Sequence, residues 1–159
     1  MISVVFPGQG SQKVGMGNDL YQNFSYVKDI FNSANEILKY DISDIILNGP
    51  QEKLNQTTFT QPAIYLVGYV ICEILKRETS FFNNKINFLA GHSLGEYSAL
   101  TSANSITLKQ GLILLKHRGE AMQSAVPLGK GGMLAVLGAE VQEIKQIIKD
   151  NLNNIKCYL

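Results

Sequence analysis

The chain has 159 residues, of which 45% are hydrophobic and 17% charged, and it carries a formal net charge of +1 at pH 7. This length allows one domain with a sizeable buried core. Fourteen basic side chains nearly balance thirteen acidic ones, so the chain has no broad positive electrostatic field. Nucleic acid and anionic membranes are therefore excluded as main partners.

The cysteines and the apolar runs indicate the cellular compartment of the chain. Cys72 and Cys157 form neither a metal-binding spacing nor a disulfide framework, so we expect two buried thiols in a reducing compartment. The N-terminus lacks a basic, apolar leader, and the longest apolar run, residues 62–72, is too short to cross a bilayer. We therefore expect a cytoplasmic protein with no membrane partner and no metal.

The first half of the chain is predicted to be one short strand followed by helices. Residues 2–6 are β-branched and aromatic, which predicts a buried strand that the segment PGQGSQ ends in a loop. Residues 61–77 are apolar nearly all round and predict a central helix. A further amphipathic helix is predicted over residues 26–40, where apolar side chains recur at helical spacing: Val27, Ile30, Phe31, Ala34, Ile37 and Leu38.

The segment after the central helix is predicted to alternate strand and helix. Residues 86–90 form an apolar run that predicts a strand, and a helix-forming run follows it. Thr107 is placed to cap a helix over 108–122. The inward stripe of that helix is predicted to consist of Leu108, Leu112, Leu115 and Met122.

A change in sequence composition marks a candidate domain boundary after residue 126. The segment PLGKGG clusters proline with glycine and stops the helical pattern. Beyond it the sequence predicts a strand over 133–137, a helix over 140–150 and an extended segment over 155–159. We expect residues 127–159 to begin a small second unit with an unfinished sheet, so that the chain ends inside it.

The stretch INFLAGHSLGEYSAL, residues 86–100, carries the candidate chemistry. A serine at a sharp turn between a strand and a helix is held in a strained conformation, with its hydroxyl exposed beside backbone N–H groups. Gly91 and Gly95 would allow the close backbone packing that such a turn needs. The pattern G-x-S-x-G also arises by chance, and the alternative is a Ser93 that only caps the helix.

The glycine-rich loop FPGQGSQKVGMG follows the first predicted strand. It fits neither the dinucleotide-binding template nor the P-loop template, because the required glycine and lysine positions are not filled. Two interpretations stay open from these residues: a tight turn that needs glycine backbone, and a loop that presents backbone N–H donors.

Four motifs occur in order along the chain: FPGQGSQ, TQPA, GHSLGEYSAL and HRGEAMQ. Together they resemble the N-terminal part of bacterial malonyl-CoA:acyl carrier protein transacylases and the acyltransferase domains of fatty acid and polyketide synthases. The resemblance implies an α/β fold, in which residues 1–126 form the N-terminal part of an α/β-hydrolase-like large subdomain. Residues 127–159 would be the start of a ferredoxin-like small subdomain, incomplete here.

The resemblance also implies roles for four residues. Ser93 would be the nucleophile that accepts the acyl group, and the backbone N–H groups of Gln9 and Leu94 would bind the oxyanion. Arg118 would hold the carboxylate of malonate, the alternative being a solvated helix arginine. The implied reaction transfers malonyl from malonyl-CoA to acyl carrier protein in fatty acid synthesis, and it needs no cofactor.

The general base is implied to lie outside this chain. His92 adjoins Ser93 in the turn, where consecutive side chains diverge, and His117 is interpreted as a partly exposed polar residue. We therefore expect an N-terminal fragment without turnover on its own, whose C-terminal half would be a further partner. The rival functions are a serine hydrolase or thioesterase, against which Arg118 argues, and a non-catalytic remnant or interaction protein.

Overall fold

The computed structural model describes residues 2–80, 86–126, 129–131, 134, 136–151 and 157. The chain divides into two compact units, Met1–Leu128 and Gly129–Leu159. The first unit holds a small parallel sheet and most of the helices. Its assignment to an α/β-hydrolase-like subdomain stays a prediction at this point.

The elements of the first unit follow the predicted order. They are β1 (Ile2–Phe6), α1 (Asn18–Asn23), α2 (Ser25–Leu38), α3 (Ile42–Leu47), α4 (Gln51–Leu54), α5 (Thr57–Glu78), β2 (Ile86–Gly91), α6 (Gly95–Ser102) and α7 (Leu108–Ala125). The central helix α5 begins at Thr57 rather than at the predicted Gln61, and it includes Pro62 within its first two turns. The second unit contains α8 (Val141–Asn151), as predicted.

The strands β1 and β2 pair in parallel, from Ile2 opposite Ile86 to Phe6 opposite Gly91. One face of the sheet packs on helices, where Phe6 is buried beside Cys72 and Ala99. The other face carries Val5 and Phe88, which are 70% and 57% exposed. Parallel sheets normally have both faces covered, whereas the described residues cover only one face of this sheet.

The hydrophobic core lies among α2, α5 and α7, so the periodicity that predicted these helices is confirmed. Its fully buried side chains include Val27, Phe31, Leu38, Tyr65, Leu66, Leu112 and Leu115. By length and composition α5 is apolar enough to cross a membrane. A buried core helix passes the same test, and here Tyr65 and Leu66 of α5 lie in the centre of the core.

The start of α7 is fixed by a reciprocal pair of side-chain hydrogen bonds, as the position of Thr107 predicted. The Gln110 N–H donates to Thr107 Oγ1 at 3.2 Å, and the Thr107 N–H donates to Gln110 Oε1 at 2.9 Å. This capping box satisfies two backbone donors that the first turn of a helix leaves free. It therefore anchors the helix that carries Arg118.

Removing the cap should destabilise the chain. We expect Thr107→Ala to lower the free energy of unfolding by about 1 kcal/mol, since the Gln110 N–H loses its acceptor. Thr107→Ser keeps the hydroxyl and should stay close to the wild type. Urea unfolding followed by circular dichroism measures both variants, and an unchanged Thr107→Ala midpoint would contradict the role of the cap.

Two predictions for the second unit, the strand over 133–137 and the burial of Cys157, are not met by its described residues. The strand predicted over 133–137 includes residues outside the described set, and the described Leu134, Val136 and Leu137 belong to no strand and are exposed. A strand needs a pairing partner, which the described residues of this unit do not supply. The extended segment predicted over 155–159 lies outside the described residues except for Cys157. That cysteine is exposed rather than buried.

The two thiols should react at very different rates. Cys72 is 2% exposed, and burial raises the pKa of its thiol, whereas Cys157 is exposed. Because the thiolate is the reactive form, we expect iodoacetamide to modify one cysteine of the folded chain quickly and the second only after denaturation. Intact mass spectrometry counts the adducts. A fast adduct that persists in Cys157→Ser would show that Cys72 is accessible.

Candidate active site

Ser93 lies in the turn that joins β2 to α6. Its φ is 56°, in the left-handed region that residues other than glycine rarely adopt. The residue is exposed, while the next residue, Leu94, is fully buried. The predicted strand, sharp turn and helix are therefore confirmed, and the strain falls on the serine itself.

Two glycines allow the turn to close. A Cβ atom on Gly91 would overlap the backbone of Gly95, and a Cβ atom on Gly95 would overlap the carbonyl oxygen of Phe6 at the end of β1. Real Cβ atoms do not approach backbone atoms so closely. The predicted need for glycine at both positions is confirmed, and it sets Ser93 at the edge where β1 and β2 end.

The loop after β1 lies against this turn. The His92 N–H donates to the Phe6 carbonyl at 3.0 Å, and a Cβ atom on Gly8 would lie 2.5 Å from His92 Nδ1. The next residue is Gln9, so the fold brings the two predicted oxyanion segments together at His92. Neither the Gln9 N–H nor the Leu94 N–H donates to an acceptor in the described part of the chain. Both donors are thus available.

Arg118 reaches Ser93 from α7. Its Nη2 donates to Ser93 Oγ at 3.0 Å. Its Nη1 is buried and has no hydrogen-bond partner among the described residues. The helix can approach this closely because Gly119 faces the start of α5, where a Cβ atom would lie 2.9 Å from the Thr57 carbonyl oxygen. Arg118 is thus half-buried against Ser93 rather than fully solvated, and its role at the site stays a prediction.

The guanidinium of Arg118 is suited to binding an anion. A buried guanidinium N–H without an acceptor is unfavourable, and a carboxylate is the group that a guanidinium fork binds best. The free Nη1 beside the engaged Nη2 is therefore suited to a carboxylate held next to Ser93.

The two histidines lie as the sequence predicted. His92 is exposed and its imidazole lies over Gly8. His117 is exposed on α7, with Nδ1 3.5 Å from Glu120 Oε2. In the described ranges neither imidazole forms a hydrogen bond with Ser93, whose Oγ is bonded to Arg118 alone. The turn thus presents a serine hydroxyl and a cation without a histidine base.

An amide network that the sequence analysis missed holds the loop after β1. Gln12 Oε1 accepts from the Gly10 N–H at 2.8 Å, and Gln12 Nε2 donates to Asn55 Oδ1 at 3.0 Å. Gln51 Oε1 accepts from the Val14 N–H at 3.0 Å, and Gln51 Nε2 donates to the same Asn55 Oδ1 at 2.8 Å. The sequence signal was weak, because the partners of the loop lie about forty residues away in the chain.

Comparison with known proteins identifies the family. The family described as "Acyl transferase domain" matches residues 4–155. The chain belongs to the acyl transferase domain family. The resemblance of its four motifs is thereby confirmed.

Individual relatives are similar over nearly all of this chain. It is 40% identical over 146 residues to the malonyl CoA-acyl carrier protein transacylase of Bacillus subtilis, which covers 92% of this chain and 45% of the relative. The acyl-carrier-protein-S-malonyltransferase of Bartonella henselae is 38% identical with a TM-score of 0.83, covering 94% of this chain and 48% of that one. The chain therefore spans about half the length of these relatives.

A second similar structure contains a partner. A malonyl-transacylase in complex with its type II PKS acyl-carrier protein is 40% identical to this chain, with a TM-score of 0.82, covering 92% of this chain and 47% of that one. These neighbours confirm the coarse fold class, which combines helices with a small parallel sheet. In the described residues of this acyl transferase, no cluster of three or more His, Cys, Asp or Glu is placed to hold a metal ion.

Proposed function

We propose that this acyl transferase carries the nucleophile and the acyl-binding residues of a malonyl-CoA:acyl carrier protein transacylase. The observation that carries the proposal is the pair formed by Ser93 and Arg118. Nη2 lies 3.0 Å from Oγ, and Nη1 is buried with no hydrogen-bond partner among the described residues. An acyl group on Ser93 that ends in a carboxylate would give the guanidinium its missing acceptor. The names of the relatives support the same substrate class.

The first half of the reaction forms an ester on Ser93. Oγ attacks the thioester carbonyl of malonyl-CoA, and the oxyanion accepts hydrogen bonds from the Gln9 and Leu94 N–H groups. The C–S bond then breaks, and coenzyme A leaves as a thiol with the proton that the serine lost. One donor aimed at such an oxyanion contributes about 100- to 1,000-fold to the rate. The proton passes through a general base that the described residues of this chain do not supply.

The second half returns the serine. The phosphopantetheine thiol of acyl carrier protein attacks the malonyl ester, the bond from Oγ to the acyl carbon breaks, and Ser93 regains a proton. This double displacement is typical of covalent catalysis by an activated serine. We therefore propose malonyl-CoA and acyl carrier protein as the partners in fatty acid synthesis, in the cytoplasm and without a cofactor.

The finer description of the fold belongs to the same proposal. Residues 1–126 would be the N-terminal part of an α/β-hydrolase-like subdomain, and residues 127–159 would begin a ferredoxin-like subdomain. The parallel pair β1 and β2, with Ser93 at its carboxyl end, supports the first assignment. The second assignment rests on the family resemblance.

Intact mass spectrometry tests the proposal. We expect the chain incubated with malonyl-CoA to gain the mass of one malonyl group, and Ser93→Ala to gain none. Because general base catalysis typically supplies about 100- to 10,000-fold, the adduct should accumulate slowly and without repeated turnover. Ser105→Ala removes an exposed serine in the segment that follows α6 and should acylate like the wild type.

Three results would contradict the proposal. A wild-type chain that gains no malonyl group would overturn it. An adduct that survives Ser93→Ala would mean that another residue is the nucleophile. Rapid release of malonate to water would favour the hydrolase instead, since the acyl group would then have water as its acceptor.

A further inference from the structure

We propose that Asn55 is a positioning residue for acyl transfer, which holds the loop of residues 7–14 and with it the Gln9 N–H. The inference rests on the proposed function, since that function gives the Gln9 N–H its role at the oxyanion. Asn55 lies at the end of α4 and would act through the side chains of Gln12 and Gln51.

The direction of every hydrogen bond in this network is fixed by backbone donors. The N–H groups of Gly10 and Val14 need acceptors, so each glutamine must turn its oxygen toward the loop. Its nitrogen then faces Asn55 and needs an acceptor in turn. Asn55 Oδ1 accepts from both glutamines, at 3.0 Å and 2.8 Å. One carbonyl oxygen therefore orients two amide side chains.

The loop depends on this network for its shape. Gly10 has φ 109°, which only glycine adopts readily. The neighbouring anchors of the loop are the Ser11 hydroxyl, which donates to the Gly8 carbonyl at 2.9 Å, and the Gly15 N–H, which donates to the Ile46 carbonyl at 2.8 Å. Between these anchors, the N–H groups of Gly10 and Val14 donate to Gln12 and Gln51, and both glutamine side chains are in turn bonded to Asn55.

Fixing the Gly10 N–H constrains the peptide next to Gln9. The peptide that contains the Gly10 N–H is separated from the preceding peptide, which contains the Gln9 N–H, only by the two backbone torsions φ and ψ of Gln9. Holding the first peptide therefore restricts the orientations open to the second. The Gln9 side chain adds a bond of 3.3 Å from Nε2 to Thr57 Oγ1. A misplacement of about 1 Å at a reacting group can cost about 100-fold in rate. A loosened loop should therefore weaken oxyanion stabilisation more than substrate binding.

Asn55 itself does little for the fold. Its side chain is exposed, and its backbone N–H, which donates to the Gln51 carbonyl at 2.9 Å, closes the last turn of α4 whatever the side chain. Substitution of Asn55 should leave the unfolding midpoint nearly unchanged, since surface substitutions are usually mild. This separates a positioning role from a structural one.

The test compares three variants. Asn55→Leu has a similar size without an acceptor, and Asn55→Asp keeps acceptor oxygens for both glutamines. Asn48→Leu is the matched control, because Asn48 is an exposed residue at the end of α3 whose side chain donates, among the described residues, only to Asp44. The rate of Ser93 acylation is measured by intact mass spectrometry over a range of malonyl-CoA concentrations. Exchange of the Gly10 and Val14 amide hydrogens is measured by NMR on the same proteins.

We expect Asn55→Leu to lower the saturated acylation rate about 10- to 100-fold, with an unchanged half-saturating concentration and faster exchange at Gly10 and Val14. Asn55→Asp and Asn48→Leu should match the wild type in all three quantities. Faster exchange with unchanged acylation would overturn this inference alone, as would an Asn55→Asp variant as slow as Asn55→Leu. A wild-type chain that is never acylated would overturn the proposed function, and the catalytic role of Asn55 with it.

Discussion

Replacing Arg118 with alanine should slow acylation of Ser93 by malonyl-CoA about 30- to 3,000-fold and change the rate with acetyl-CoA by only a few-fold. Loss of one partner from a buried, hydrogen-bonded charge pair costs about 2–5 kcal/mol, and each 1.4 kcal/mol is a factor of about ten. Acetyl carries no carboxylate, so it has no such pair to lose. Mass spectrometry of the adducts formed by each acyl-CoA gives both rates.

Two further variants sharpen this comparison. Arg118→Lys keeps the charge but cannot offer two parallel donors, so it should recover only part of the malonyl rate. Arg77→Ala is the matched control, since Arg77 is a surface arginine of α5 that stacks on the Tyr26 ring and pairs with Glu73. It should leave both rates unchanged. Equal losses with malonyl-CoA and acetyl-CoA would show that Arg118 only positions Ser93.

The hydrogen bond from Arg118 to Ser93 has its own consequence for acylation. In the free chain Nη2 occupies a lone pair of Oγ, at 3.0 Å. A malonyl carboxylate that draws both nitrogens of the fork to itself would free that lone pair for attack. Substrate binding and nucleophile release would then be one event, which acetyl-CoA cannot trigger in the same way.

Replacing Gly91 or Gly95 with alanine should unfold the chain or destabilise it by at least about 3 kcal/mol, the upper end of what overpacking usually costs. The new methyl group would overlap backbone atoms, of Gly95 in one case and of Phe6 in the other. Backbone cannot move aside as a side-chain tip can. Urea unfolding followed by circular dichroism measures the loss.

Gly68→Ala is the control for this prediction. Gly68 lies within α5, and a Cβ atom there would meet its nearest neighbour, a ring carbon of Phe6, at an ordinary 3.6 Å. Since alanine is favoured over glycine inside helices by roughly 0.5–1 kcal/mol, this variant should be slightly more stable than the wild type. A Gly91→Ala chain that unfolds at the wild-type midpoint would mean that the turn can open without loss.

The parts of this fold that the sequence predicts are those decided by local pattern. The helices α2 and α7 follow from apolar spacing and a capping residue, and the turn at Ser93 follows from two glycines between a strand and a helix. The contact between Arg118 and Ser93 joins residues 25 apart. Periodicity alone could not distinguish it from a solvated arginine, and the family resemblance was needed.

The network around Asn55 shows why the rest escaped prediction. Its bonds join half-buried or exposed amides that are individually ordinary, and they link the loop to residues 37 to 43 positions away in the chain. No local pattern specifies such pairs, because they exist only after β1 and α4 have been brought together. The strand predicted over 133–137 is not formed by its described residues 134, 136 and 137, for the converse reason: a strand needs a neighbouring strand as well as suitable residues of its own.

The φ of 56° at Ser93 makes this position a compromise between durability and reactivity. A residue with a Cβ atom gives up about 1–2 kcal/mol in the left-handed region, and glycine gives up almost none. The chain would therefore hold together better with glycine at its reactive position than with the serine it has. Stability alone would therefore favour glycine at position 93, and the presence of serine there is not explained by stability.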